Sequence, residues 1–116
     1  MTILYGIPNC DTVKKARVWL TDHGVAHQFH DFKKQGVPEA QLDILLKAVG
    51  WETLVNRKGT TWRKLDDATK ATVVDAAGAR ALVLAQPSVI KRPVVEWPNG
   101  DVTVGFTAEG FAARLP

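Results

Sequence analysis

Cysteine is almost missing from these 116 residues: Cys10 is the single one. One thiol excludes an internal disulfide and any zinc site built from several cysteines. Long apolar runs are missing too. The hydrophobic stretches are short and interrupted, below the ~18–20 residues a membrane span needs, so no membrane association is expected. The opening Met1-Thr2-Ile3-Leu4-Tyr5-Gly6 lacks the basic region and extended apolar core of a signal peptide. Charge of one sign is scarce as well. Fifteen basic residues against twelve acidic give +3, well short of the clustered charge of a dedicated nucleic-acid binder. No Gly-rich phosphate loop, nucleophilic serine elbow or Walker pattern occurs. No repeat, linker or low-complexity segment is present either. These absences lead us to expect a cytoplasmic, single-domain protein, without nucleic acid or membrane as partner.

What is present is ordinary globular composition, 46% hydrophobic and 23% charged. Residues 2–7 are rich in β-branched and aromatic side chains and stop at Pro8, which predicts a short buried strand. Val13, Ala16 and Leu20 repeat at helical spacing with Trp19 beside them, predicting a helix over 12–23 closed by Gly24. Residues 25–32 read as a second strand, and strand–helix–strand in so few residues implies a parallel pair. Pro38 suits the first residue of a further helix, carrying Leu42, Leu45, Leu46 and Val49 and closed by Gly50. A short helical stretch over 52–55 and a polar break at Asn56-Arg57-Lys58-Gly59 follow. Asp66 or Asp67 suits an N-cap, and residues 68–86 are helix-rich with Gly78 as an expected interruption. Residues 93–97 and 101–104 flank Pro98-Asn99-Gly100, a hairpin signal in which Asn and Gly both accept positive φ. Thr107 suits the cap of a last helix carrying Phe111 and Leu115. The order β-α-β, helical block, β-β-α predicts an α/β chain of thioredoxin-like fold, one domain over 1–116 with a helical insertion at about 37–87.

Cys10 falls between the first strand and first helix, in Pro8-Asn9-Cys10-Asp11-Thr12. A thiol there faces unsatisfied helix N–H groups and the positive end of the macrodipole, both of which favour thiolate. The competing reading is a small buried hydrophobe; the polar neighbours favour the reactive one. Asp11 opposes ionisation unless it serves the helix N-terminus instead. Compensating cations are available in Lys14, Arg57, Lys58, Lys91 and Arg92, of which Arg92 stands out beside a proline that opens a strand. His23, His27 and His30 have no second cysteine or convergent carboxylate pair to complete a metal site, and none is expected. The four tryptophans read as core or interface residues.

Tyr5-Gly6-Ile7-Pro8-Asn9-Cys10-Asp11-Thr12, with Lys14-Lys15-Ala16 and Trp19-Leu20, resembles the opening of the ArsC-like family. That family comprises glutaredoxin-coupled arsenate reductases, the transcription regulator Spx and small YffB-type proteins. Ile90-Lys91-Arg92-Pro93-Val94-Val95 resembles its second signature and Val104-Gly105-Phe106 its third. The resemblance spans essentially the whole chain, and its nearest branch is the YffB type. It implies that Cys10 is catalytic, that Arg57 and Arg92 bind an oxyanion, and that Pro93 is a cis-proline beside the cysteine. Asn9, Thr12, Lys14 and Lys58 join them as expected substrate-binding residues. In the arsenate reductases an arginine belongs at Phe106, a histidine at Gly6 and a serine at Val13, so the arsenate-specific pocket is largely missing. Spx regulators carry a second cysteine where this chain has Val13. Gly50 resembles a glycine with which Spx touches RNA polymerase; a helix C-cap explains it equally well. The implied function is a glutathione-dependent thiol reductase with one catalytic thiolate. Glutathione releases the covalent intermediate, glutaredoxin is an admissible partner, and the protein is expected to be a monomer. The alternatives are a non-catalytic Spx-like partner of RNA polymerase and a weak glutaredoxin-coupled arsenate reductase.

Overall fold

The structure, a computed structural model, describes residues 1–115. It divides into two compact units, Met1–Phe32 with the segment from Arg92 onward, and Lys33–Lys91.

The first unit is built on a four-stranded sheet. Strand β1 (Thr2–Gly6) leads into helix α1 (Asp11–Asp22), which returns to strand β2 (His27–Asp31). β1 and β2 are parallel, with Leu4 opposite Phe29. The strand expected over 25–32 is shorter than its composition suggests, because Phe32 already begins helix α2 (Phe32–Gln35). Helix α1 ends on a Schellman arrangement. Gly24 takes φ +68°, its N–H donates to the Thr21 carbonyl, and the Val25 N–H donates to that of Leu20. The buried stripe of α1, Val13, Ala16 and Leu20, packs with Leu4, Val95, Trp97 and Phe111 into one apolar cluster. Each valine, leucine and phenylalanine among them contributes ~1.5–3 kcal/mol by leaving water.

The second unit is helical: α3 (Glu39–Val49), α4 (Trp51–Leu54), α5 (Thr60–Arg63), α6 (Asp67–Ala71) and α7 (Ala76–Ala85), then a 3₁₀ turn at Pro87–Val89. Its buried residues include Leu42 and Leu45 of α3, Leu54 of α4, and Ala79, Leu82 and Val83 of α7. Two expectations need correcting here. Pro38 is the N-cap of α3 rather than its first residue. Gly78 does not interrupt a helix but lies in the first turn of α7 and donates its N–H to Asp75, the N-cap. A β-carbon at Gly78 would stand 1.9 Å from the Thr72 carbonyl oxygen. That close approach explains the glycine, and the break lies upstream, between α6 and α7. The four-residue α5 is unannounced in the sequence, since so short a helix has too few repeats to show periodicity.

The chain then returns to the sheet. Strands β3 (Val94–Glu96) and β4 (Val102–Val104) pair antiparallel, and β3 pairs antiparallel with β1, giving the order β2-β1-β3-β4. The hairpin turn differs from the expected form. Only Gly100 takes positive φ there, at +91°. The Gly100 N–H donates to the Trp97 carbonyl and the Trp97 N–H to that of Asp101. Pro98 fixes its own φ near −65°, which suits a type I turn followed by a left-handed glycine and leaves Asn99 right-handed. Helix α8 (Ala108–Ala112) starts at Thr107, whose hydroxyl accepts from the Gly110 N–H. Leu115, expected on this helix, lies beyond it. The fold class is α/β and thioredoxin-like, as the element order predicts.

Candidate functional site

Sheet register gathers three chain segments at one end of the first unit. β1 finishes at Gly6 and runs through Pro8 and Asn9 into Cys10. Tyr5 faces Val94, so Pro93 and Arg92 lie where β1 ends; Val94 in turn faces Val104, which precedes Gly105 and Phe106. The Gly105 N–H donates to the Pro93 carbonyl at 2.8 Å, tying the second and third segments together. Gly105 takes φ +87°, a conformation that favours glycine. The role of Gly105 was not legible in the sequence; its only signal was its place in the third signature.

Cys10 is the N-cap of α1, with φ −94° and ψ 123°. Its N–H donates to the Ile7 carbonyl at 3.2 Å and its carbonyl accepts from the Lys14 N–H at 3.0 Å. The residue is half-buried and packs against the apolar cluster, as does Phe106. Asp11 is the first helical residue, where a carboxylate complements the macrodipole. Asn9, Thr12 and Lys14 are exposed beside it, Arg92 is half-buried and Pro93 buried. The Arg92–Pro93 peptide bond is cis, as the resemblance implies.

Arg57 and Lys58 belong to the second unit. Arg57 sits 5.4 Å over the Trp51 ring and 3.9 Å from the Glu52 carboxylate. The Lys58 N–H donates to Asn56 Oδ1, and its carbonyl accepts from Arg63 at 2.6 Å. Both side chains are exposed. Among the described residues no cluster of His, Cys, Asp or Glu has metal-ligating geometry. Nor is any helix long and apolar enough to cross a membrane.

Two positions that depart from the arsenate-reductase pattern touch each other. A β-carbon at Gly6 would stand 2.8 Å from Cγ2 and 3.1 Å from Cγ1 of Val13. Val13 is fully buried, so it fills the room a side chain at position 6 would need. The third, Phe106, meets Phe111 edge-on at 4.7 Å. None of the three places where the resemblance calls for polar groups therefore carries one: two hold apolar side chains and the third, Gly6, has none.

The model of the ArsC family matches residues 5–113 of the chain. The sequence is 40% identical to an uncharacterized protein of Haemophilus influenzae, over 99% of each chain. It is 28% identical to the global transcriptional regulator Spx of Streptococcus mutans, over all of this chain and 84% of that relative. The solved structure of a YffB protein superposes with a TM-score of 0.93 at 51% identity, covering both chains fully. An arsenate reductase (ArsC) related protein from Brucella melitensis superposes at 0.76 with 54% identity, over 97% of this chain and 92% of that one.

Proposed function

Because this chain belongs to the ArsC family, we propose that it is a thiol reductase in which Cys10 is the nucleophile and glutathione the co-substrate. The observation that carries this reading is the half-buried Cys10 at the N-cap of α1, at the sheet end where Arg92, Pro93 and Phe106 also meet. The Cys10 side chain makes no capping hydrogen bond to the first turn of α1, so its sulfur stays available as a nucleophile. The Cys10 thiolate attacks one sulfur of a disulfide substrate. A Cys10–substrate disulfide forms and the other substrate sulfur leaves as thiolate. With one cysteine in the chain, an external thiolate must break that intermediate. Glutathione does so, regenerating Cys10 and carrying off the substrate sulfur as a mixed disulfide. Lys14 and Arg92 suit its carboxylates, with Asn9 and Thr12 as polar neighbours. Glutathione places the reaction in the cytoplasm, where thiols are kept reduced.

Arsenate suits this site poorly. A compact oxyanion needs several convergent donors; Phe106 and Val13 are apolar and Gly6 has no side chain to supply one. The test is exposure to glutathione disulfide followed by intact mass measurement. One glutathione adduct per chain, absent from Cys10→Ser, is expected; no adduct at Cys10 overturns the reading. Glutathione- and glutaredoxin-coupled arsenate reduction by the same protein is expected to be negligible.

The match to an Spx regulator over the whole of this chain favours one second reading, a non-catalytic partner of RNA polymerase. Gly50, at φ +82° with nothing within 4 Å of where its β-carbon would be, is open to a partner. Stoichiometric capture of polymerase together with an inert Cys10 would establish it.

A further inference from the structure

Helix α1 leads away from Cys10 with a row of exposed residues at four-residue spacing, Lys14, Val18 and Asp22. A groove runs along each side of that row. One, of about 520 Å³, is completed by Arg17, Thr21 and His27 of β2. The other, of about 340 Å³, is completed by Lys15, Trp19 and Phe106. Val18, between them, is 58% exposed, one of the few large apolar side chains so placed. Lys14, Lys15 and Arg17 cluster on the Cys10 side, and Asp22 stands at the far end. The Arg114–Asp101 ion pair of this unit lies elsewhere. Arg17 holds its guanidinium 4.2 Å over the Phe29 ring, which fixes a positive charge beside an apolar floor.

We propose that these paired grooves dock a cysteine-bearing acidic polypeptide, whose apolar side chains straddle Val18 and whose disulfide is thereby delivered to Cys10. The inference rests on the thiol-reductase reading and adds the class of macromolecular substrate to it. Charge sets the polarity. The segment nearest the partner's cysteine is acidic, to meet Lys14, Lys15 and Arg17, which outnumber Asp11 there. A basic residue several positions away meets Asp22. Opposite charges arranged this way raise the encounter rate and fix the docking direction.

Two synthetic peptides test this, Asp-Leu-Glu-Leu-Cys and Lys-Leu-Lys-Leu-Cys, each activated as the 2-thiopyridyl disulfide. In the reaction the Cys10 thiolate bonds to the peptide sulfur. The probe's own S–S bond breaks, and pyridine-2-thione leaves with the electron pair and takes up a proton, so no outside oxidant is needed. The acidic peptide is expected to react roughly tenfold faster at low ionic strength, an advantage that shrinks as salt screens it. Val18→Glu and Lys15→Glu are expected to abolish the preference while leaving the rate with 2,2′-dithiodipyridine unchanged. Equal rates for the two peptides, or a preference that survives both substitutions, overturns the proposal. A serine version of the acidic peptide, titrated into isotopically labelled protein, is expected to shift amide resonances of α1. Such shifts with a Cys10 inert to dithiodipyridine would leave the docking surface standing and remove the reductase reading. Shifts confined elsewhere, or self-association through this face in sedimentation, overturn the docking surface itself.

Discussion

Tyr5 is the one tyrosine of the chain and is 3% exposed. Its ring lies 5.2 Å from that of His30 and 5.7 Å from that of Phe32. Burial, and after it the Glu96 carboxylate, pushes its phenol up to about 12 from 10.0. The fold thus prefers the neutral phenol. Its contribution to stability is complete below the unfolded value near ~10 and is lost as pH rises through about 12. Phenolate absorbance is therefore expected to appear about two pH units late in the native protein, and at the ordinary position in denaturant. Tyr5→Phe removes the signal. At position 6 the expectation is steric. Gly6→Ala sets a methyl against fully buried Val13 and is expected to cost ~1–3 kcal/mol, as overpacked cores do. Adding Val13→Ala recovers part of the loss, so the two changes are non-additive in urea unfolding. Full additivity would mean that the two residues do not share the space.

Among the elements, the caps of the helical unit carry the clearest expectations. Asp75 accepts from the Gly78 N–H at 2.8 Å, and Asp75→Ala is expected to lower stability by ~1 kcal/mol. Gly78→Ala is expected to cost at least the ~1–3 kcal/mol of overpacking, because the obstacle is the Thr72 carbonyl rather than a mobile side chain. Urea midpoints measure both. At the start of α6, Asp66 accepts from the Thr69 N–H at 2.7 Å, and the Thr69 hydrogen bonds hold its carboxyl below the ordinary value. This cap supports the fold above the unfolded carboxylate pKa and is lost as pH falls through the lowered one. Asp66→Asn should therefore flatten the acid limb of the stability profile. Legibility followed element length. α1 and α3 each present a full apolar stripe, and both were readable from spacing alone. The turn at 98–100 was readable as a hairpin but not by type, because Pro98 overrode what Asn-Gly alone favours. The location of Cys10 at a helix start followed from the strand-stop at Pro8 and the periodicity after it. The grooves beside Val18 did not, since they need β2 and Phe106 brought alongside α1.

On the scale of the whole molecule, charge is unevenly shared. Residues 33–91 hold ten of the fifteen basic residues and six of the twelve acidic ones, so the other unit is slightly acidic although the chain is basic. Arg57, Lys58, Arg63 and Lys64 lie within eight residues with no acid among them. Replacing these four by glutamine is expected to bring elution from a cation exchanger to markedly lower salt, more than neutralising Lys14, Lys15, Arg92 and Arg114 does. Equal retention of the two variants would show that the local cluster is not what the resin meets. The uneven sharing was present in the composition but unreadable until the boundaries at Lys33 and Lys91 were known.

The contact between Gly6 and Val13 also constrains the routes by which such a site can change over generations. A side chain at position 6 is overpacked while valine stands at 13, and a smaller residue at 13 makes room for it. Each change alone costs stability, one by crowding and the other by a cavity, and the two together offset part of both. A library that varies position 6 alone carries the crowding in every member, and one that opens both positions together reaches sequences in which it is relieved.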